Sequence, residues 1–263
     1  MDQDTPVILV FDSGLGGTTI LNHILARKIS GPFIYVADNK FLPYGQQTKE
    51  FIQERVLEIF SKLNQKYAIK SAVLACNTVT AYVAEQLRGF YNFPIIGMEP
   101  GIKPAIKVSK NKNIGILATE GTIKSLRFTS LVDRFVSKEH NLIIIPGNGL
   151  VEEIENLPDS AEDLLNNLKP KIKQFEDAGI DVLVLGCTHY PIIIKQLKSL
   201  FSNTIEIIDT TEAVVNVLEK TLKVECFPNN QEVDVMVSDN SNSYYEKIRK
   251  VIQAASIKQI KFI

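Results

Sequence analysis

The sequence predicts an α/β fold made of two similar lobes with mostly parallel sheets, related by a pseudo-two-fold axis. Three observations carry this expectation. Short, continuously apolar runs rich in β-formers alternate with amphipathic stretches of helical period along the chain. Two of these runs end in the same way: Ala72-Val73-Leu74-Ala75 leads into Cys76-Asn77-Thr78, and Val182-Leu183-Val184-Leu185 leads into Gly186-Cys187-Thr188-His189-Tyr190-Pro191. The alternation also restarts after residues 98–104, where Pro100, Gly101 and Pro104 mark a crossing point. The expected lobes are residues 1–97 with 208–263, and residues 98–207.

In order, residues 7–11 read as a buried parallel strand, being apolar without interruption. The glycine turn Asp12-Ser13-Gly14-Leu15-Gly16-Gly17 then leads into a helix over 18–28. A strand at 33–37 precedes a loop at 38–47 that contains Leu42-Pro43-Tyr44-Gly45. Residues 48–67 form an amphipathic helix, with Ile52, Val56, Ile59, Phe60 and Leu63 on one face and Glu54, Arg55, Glu58 and Lys62 on the polar side. A strand at 71–75, a helix at 79–87 and a strand at 93–97 complete the first half. In the second half, a strand at 113–118 turns through Thr119-Glu120-Gly121-Thr122 into a helix ending near Phe135. A strand at 142–145 follows, then a helix at 164–178 in which Pro170 marks a break or a fresh start. The series closes with a strand at 181–185, a helix at 192–200, a strand at 205–208, a helix at 211–221, a strand at 232–237 and a helix at 243–255. The halves match turn for turn: the turn after residue 11 answers to Thr119, the loop after Ala37 to the loop after Ile145, and Cys76 to Cys187. Ligands of open α/β sheets bind beyond the carboxyl ends of strands, so two facing lobes would bring these turns into one cleft.

Composition narrows the class of function. The chain has 263 residues, 45% hydrophobic and 22% charged, which is ordinary for a soluble enzyme. Its net charge of −1 gives no global field toward nucleic acid or an anionic membrane, and the lack of tryptophan argues against a base-stacking platform. The acidic start Met1-Asp2-Gln3-Asp4 does not read as a signal peptide, and no apolar run has the length of a membrane span. Three cysteines without a CxxC suit a reducing compartment, so the expected location is the cytoplasm.

The chemistry points to the two strand-end thiols. A lone cysteine after an apolar strand is usually inert packing, but two at matching places, each followed by short polar residues, are better explained by function. A thiol at a helix N-terminus sits at the positive end of the dipole. Cys226 has no polar followers and reads as structural. His189, two residues from Cys187, can share a proton with it; the dull alternative is a turn-capping histidine. Asp12 either caps the next helix or supplies a carboxylate near the first thiol. Ser13, Asn77, Thr78, Thr119, Thr122 and Thr188 are short donors at strand ends, together suited to a carboxylate ligand. The 14–17 turn fails the dinucleotide fingerprint at Thr19 and lacks the GK[ST] of a P-loop, and no metal-ligand spacing is present. From the residues alone, a non-enzymatic amino-acid binder and a dithiol redox protein stay open beside a two-thiol enzyme.

Phe11-Asp12-Ser13-Gly14-Leu15-Gly16-Gly17, Pro43-Tyr44-Gly45, Ala75-Cys76-Asn77-Thr78, the stretch around Thr119-Glu120-Gly121-Thr122, and Gly186-Cys187-Thr188-His189-Tyr190-Pro191 resemble, in order, the aspartate/glutamate racemase family. The resemblance implies interconversion of L- and D-glutamate without a cofactor or metal, feeding peptidoglycan synthesis. It implies that Cys76 acts on the D enantiomer with help from Asp12, and Cys187 on the L enantiomer with help from His189. A helper glutamate directly after an apolar pair falls at Glu152, following Leu150-Val151, with Glu153 and Glu155 nearby. It further implies that Ser13, Tyr44, Gly45, Asn77, Thr78 and Thr188 hold the substrate, with Thr119 and Thr122, and that the enzyme is a homodimer. His189 favours glutamate over aspartate as substrate, because aspartate enzymes of the family typically carry an acidic residue there.

Overall fold

The computed structural model describes residues 5–222, 231–239, 242–252 and 256–262. Cys226, the opening acidic residues 1–4 and the expected end of the last helix at 253–255 lie outside the described residues. The chain divides into two compact units, Met1–Met98 with Thr211–Ile263, and Glu99–Thr210.

The first unit contains β1 (Pro6–Asp12), α1 (Thr18–Ala26), β2 (Phe33–Ala37), α2 (Lys49–Lys66), β3 (Ala68–Leu74), α3 (Asn77–Phe90) and β4 (Ile95–Gly97). The returning chain adds α10 (Thr211–Leu222), β9 (Glu232–Val237), α11 (Asn242–Val251) and β10 (Ser256–Phe262). Its sheet has the order β10-β9-β2-β1-β3-β4, and every ladder is parallel. Alternation along β1 sends Ile8 and Val10 to one face, where α1, α10 and α11 pack, and Val7, Leu9 and Phe11 to the other, where α2 and α3 pack. A sheet covered on both faces favours near-continuous apolar runs in its central strands, which is why β1 and β2 read so plainly in the sequence. Each fully buried large side chain, such as Phe33 or Phe60, contributes about 1.5–3 kcal/mol through removal from water.

The second unit contains α4 (Ile102–Val108), β5 (Asn113–Ala118), α5 (Glu120–Ile123), α6 (Leu126–Phe135), β6 (Asn141–Pro146), α7 (Leu150–Glu155), α8 (Ala161–Asp177), β7 (Val182–Gly186), α9 (Ile194–Leu200) and β8 (Glu206–Ile208). Its sheet is again all parallel, in the order β6-β5-β7-β8. That order repeats β2-β1-β3-β4 of the first unit, strand for strand. Among the described residues, no helix is long and apolar enough to cross a membrane.

Several local expectations need correction. The 98–104 crossing contains the start of α4; Pro104 sits in its first turn, where backbone N–H groups have no intrahelical partner in any case. The single helix expected after Thr119 is two, because Ser125 is extended and caps α6 by accepting the Phe128 N–H at 3.1 Å. Helix α8 runs straight through Pro170. The proline is on the exposed side, so the carbonyl it orphans can face water, while Leu164, Leu168, Ile172 and Phe175 hold one buried stripe on both sides of it. Helix α7 and strand β10 were not expected from the sequence.

Candidate active site

The first unit presents the carboxyl ends of β1, β2 and β3. Asp12 ends β1, is fully buried, and its Oδ1 accepts the Gly14 N–H at 2.7 Å. The turn then packs so tightly that a Cβ at Gly17 would lie 2.6 Å from the Asp12 Cβ. Tyr35 donates to the Gly14 carbonyl at 2.6 Å, fixing the same turn from below. Ser13 is buried beside Asp12.

Beyond β2, Asp38 is fully buried and meets Arg55 and the Tyr44 hydroxyl, which donates to Asp38 Oδ2 at 2.5 Å. Burial and the neighbouring carboxylate hold the Tyr44 phenol far above its ordinary pKa, so it is neutral. Gly45 follows it, half-buried.

Beyond β3, Cys76 is the residue immediately before α3, in extended conformation and 7% exposed. Its thiol therefore sits at the N-terminus of a fourteen-residue helix, where the dipole favours thiolate. Asn77 and Thr78 begin that helix and are buried. Neither amide atom of Asn77 has a hydrogen-bond partner among the described residues. A buried amide without partners costs about 1–3 kcal/mol, which a polar ligand offsets.

The second unit presents the matching ends of β5, β6 and β7. Thr119 caps α5 by accepting the Thr122 N–H at 3.3 Å, and its hydroxyl donates to that of Thr122 at 2.9 Å. Gly186 ends β7; a Cβ there would lie 2.6 Å from that of Ala118 on β5. Cys187 follows, free and 7% exposed, with Thr188 and His189 buried behind it. His189 Nδ1 lies 3.8 Å from Cys187 Sγ, and Nε2 lies 2.7 Å from Glu155 Oε1. Burial alone would lower the His189 pKa, but its contacts with Cys187 and Glu155 outweigh that and raise it well above the ordinary histidine value. An imidazole held between a carboxylate and a thiol can stabilise thiolate or exchange a proton with it.

The carboxylate at His189 is thus Glu155, with Glu152 one turn earlier on α7 and only half-buried. The family resemblance places a helper glutamate at Glu152, directly after the apolar pair Leu150-Val151, with Glu153 and Glu155 nearby. Helical period supplies the missing signal: Leu150, Val151, Ile154 and Glu155 share the buried face. Glu152 is close enough to help hold the Tyr190 phenol well above its ordinary pKa, after burial and Cys187. Arg55, assigned by pattern to the polar side of α2, turns inward onto Asp38 instead. Its side chain is only 13% exposed. A long arginine can reach inward from a flank of a helix, which a helical wheel does not show.

Residues 12–218 match the Asp/Glu/Hydantoin racemase family. The chain is 43% identical over 227 residues to a glutamate racemase of Pseudomonas aeruginosa, covering 84% of this chain and 83% of that protein. Among solved structures, it is similar to Escherichia coli glutamate racemase in complex with L-glutamate and the activator UDP-MurNAc-Ala, with a TM-score of 0.87, 29% identity and 98% coverage of each chain. It is likewise similar to a glutamate racemase isoform of Bacillus anthracis, with a TM-score of 0.86 and 28% identity, covering 99% of this chain and 98% of that one.

Proposed function

The chain belongs to the Asp/Glu/Hydantoin racemase family, and we propose that it interconverts L- and D-glutamate without a cofactor, supplying D-glutamate for peptidoglycan. The observation that carries this reading is the pair of buried cysteines, each at the end of the strand holding the same place in two sheets of the same order.

The α-proton of glutamate is only weakly acidic, so the developing carbanion needs fixed donors in a site closed to water. From D-glutamate, the Cys76 thiolate takes the α-proton and becomes a thiol. The electron pair left on the α-carbon takes the proton of Cys187, which becomes the thiolate. L-glutamate results, and the reverse reaction restores the first state. The mechanism asks both thiols to reach one carbon from opposite sides, which inverts the centre without moving the substrate far. Asp12 assists at Cys76. His189 assists at Cys187, oriented by Glu155, which takes the helper role first expected of Glu152. Asn77, with its unspent amide, holds the substrate together with Ser13, Tyr44, Gly45, Thr78, Thr119, Thr122 and Thr188. His189 and the glutamate racemases among its relatives favour glutamate over aspartate. We further infer a homodimer, tested by sedimentation, and a cytoplasmic location, which the sparse unpaired cysteines suit.

The deciding experiment incubates the protein with L-glutamate in deuterated water and follows optical rotation and α-deuterium. Wild type racemises with label uptake, Cys76→Ala and Cys187→Ala each lose turnover, and L-aspartate is a poor substrate. Robust activity in either single variant rejects the two-thiol mechanism.

A further inference from the structure

The segment between β2 and α2 leaves the sheet at Asp38, whose N–H donates to the Asp12 carbonyl at 3.1 Å, and runs through two short 3-10 turns, Asn39–Phe41 and Tyr44–Gln46; side chains fasten it at both ends. Asp38 is its first residue. Its Oδ1 accepts Arg55 Nη2 at 2.8 Å, and its Oδ2 accepts Arg55 Nε at 3.0 Å and the Tyr44 hydroxyl at 2.5 Å. The Arg55 guanidinium also lies 5.2 Å from the centre of the Phe41 ring. Next to Asp38, Asn39 Oδ1 accepts the backbone N–H groups of Ser238 and Asp239, each at 3.1 Å, and the Lys40 N–H donates to Ser238 Oγ at 3.0 Å. Gln47 closes the far end by donating to the Phe41 carbonyl at 3.2 Å. Tyr44 and Cys76 belong to one buried cluster.

Two consequences follow from the chemistry. The phenol proton of Tyr44 is committed to a buried carboxylate, so Tyr44 is not a donor to a substrate carboxylate. The two-pronged Arg55–Asp38 contact fixes that carboxylate in plane as well as in distance, which a lysine could not do. We propose that Asp38 and Arg55 are positioning residues of the glutamate site, acting through Tyr44: the ion pair clamps the phenol, and the clamped phenol holds the 43–45 turn in place for substrate. This rests on the racemase reading and deepens it, by making Tyr44 an anchor of the loop rather than a ligand through its hydroxyl.

The test compares wild type, Tyr44→Phe, Arg55→Lys and the double variant. Arg55→Lys keeps the charge beside Asp38, so the fold is spared. Steady-state rates with L-glutamate should show KM raised about tenfold in each single variant with kcat within about threefold, as expected for lost binding rather than lost chemistry. The double variant should be no worse than the poorer single one, because both changes undo one clamp. Amide hydrogen exchange should quicken across residues 39–47 in Arg55→Lys and stay as in wild type across 102–135. Additive penalties, an unchanged KM, or unchanged exchange at 39–47 overturns the clamp. A wild-type protein that fails to racemise glutamate rejects the proposed activity instead, and the exchange measurement then decides the clamp without it.

Discussion

Glu155 Oε1 lies 2.7 Å from one nitrogen of His189, while the other nitrogen of that ring lies 3.8 Å from the Cys187 sulfur. The carboxylate fixes the ring's orientation and favours a proton on Nε2, which leaves Nδ1 to serve the thiol. The tie joins α7 to the turn after β7, both within the second unit.

This contact separates two neighbouring glutamates. Glu155→Gln should lower kcat by about tenfold to a hundredfold, the scale of losing an orienting partner or a proton-transfer group. Glu152→Gln should cost less than Glu155→Gln. Because the enantiomers have equal free energy, kcat/KM should fall by the same factor in both directions. Polarimetry on the two variants checks the order, and a larger loss in Glu152→Gln would reverse the assignment.

The raised His189 pKa makes stability depend on pH in a definite direction. A histidine whose folded-state pKa lies above its unfolded value contributes fully below about pH 6.5, and loses that contribution as pH rises through the folded value. The stability of wild type relative to His189→Asn should therefore be greatest in mild acid and shrink toward alkaline pH. Urea unfolding of both proteins from pH 5.5 to 9 measures it; a difference that grows with pH would show that the imidazole is not held protonated.

Two glycines should respond oppositely to alanine. At Gly186 the new methyl would lie 2.6 Å from the Ala118 Cβ, between two buried strands, so Gly186→Ala should cost about 1–3 kcal/mol and displace Cys187. At Gly89, on the exposed face of α3, nothing lies within 4 Å of the new Cβ. Gly89→Ala should stabilise by about 0.4–1 kcal/mol through helix propensity and a less free unfolded chain. Thermal unfolding of the pair checks both signs.

Asp181 works at the amino end of β7, away from the thiol. Its carboxylate accepts Ser109 Oγ at 2.6 Å and the N–H groups of Lys110 and Asn111 at 2.6 and 3.0 Å. Burial opposes its ionisation, yet these donors prevail and hold its pKa below the ordinary value. Asp181→Ala should cost about 1–3 kcal/mol of stability at neutral pH. The wild-type advantage is present above the unfolded value near pH 3.9 and fades as pH falls through the lower folded one. Acid titration of both proteins tests this, with racemisation per folded molecule expected to be unchanged.

Much of the architecture was legible because buried parallel strands leave a simple trace. Phe33–Ala37, Asn113–Ala118 and Glu232–Val237 are strands with the bounds their apolar runs predict. The short strands β4 and β8 fall inside runs the sequence marks, but two other elements were not legible. Helix α7 follows a glycine with φ of +83° and has only six residues, too few for periodicity to declare itself. Among the described residues, strand β10 lies at the sheet edge paired with β9, and it mixes lysine and glutamine among its apolar residues.

The sequence by itself determined the α/β class, the repeated order of turns and the two thiols at strand ends, because period, turn chemistry and spacing are local properties of the chain. Tertiary structure alone decided that Glu155 reaches His189 and that Arg55 turns in to Asp38. These pairs are separated by 34 and 17 residues, and the packing of a helix on its own sheet brings them together. Linear pattern carries the face of a helix, but not the reach of a long side chain or the partner waiting across the turn.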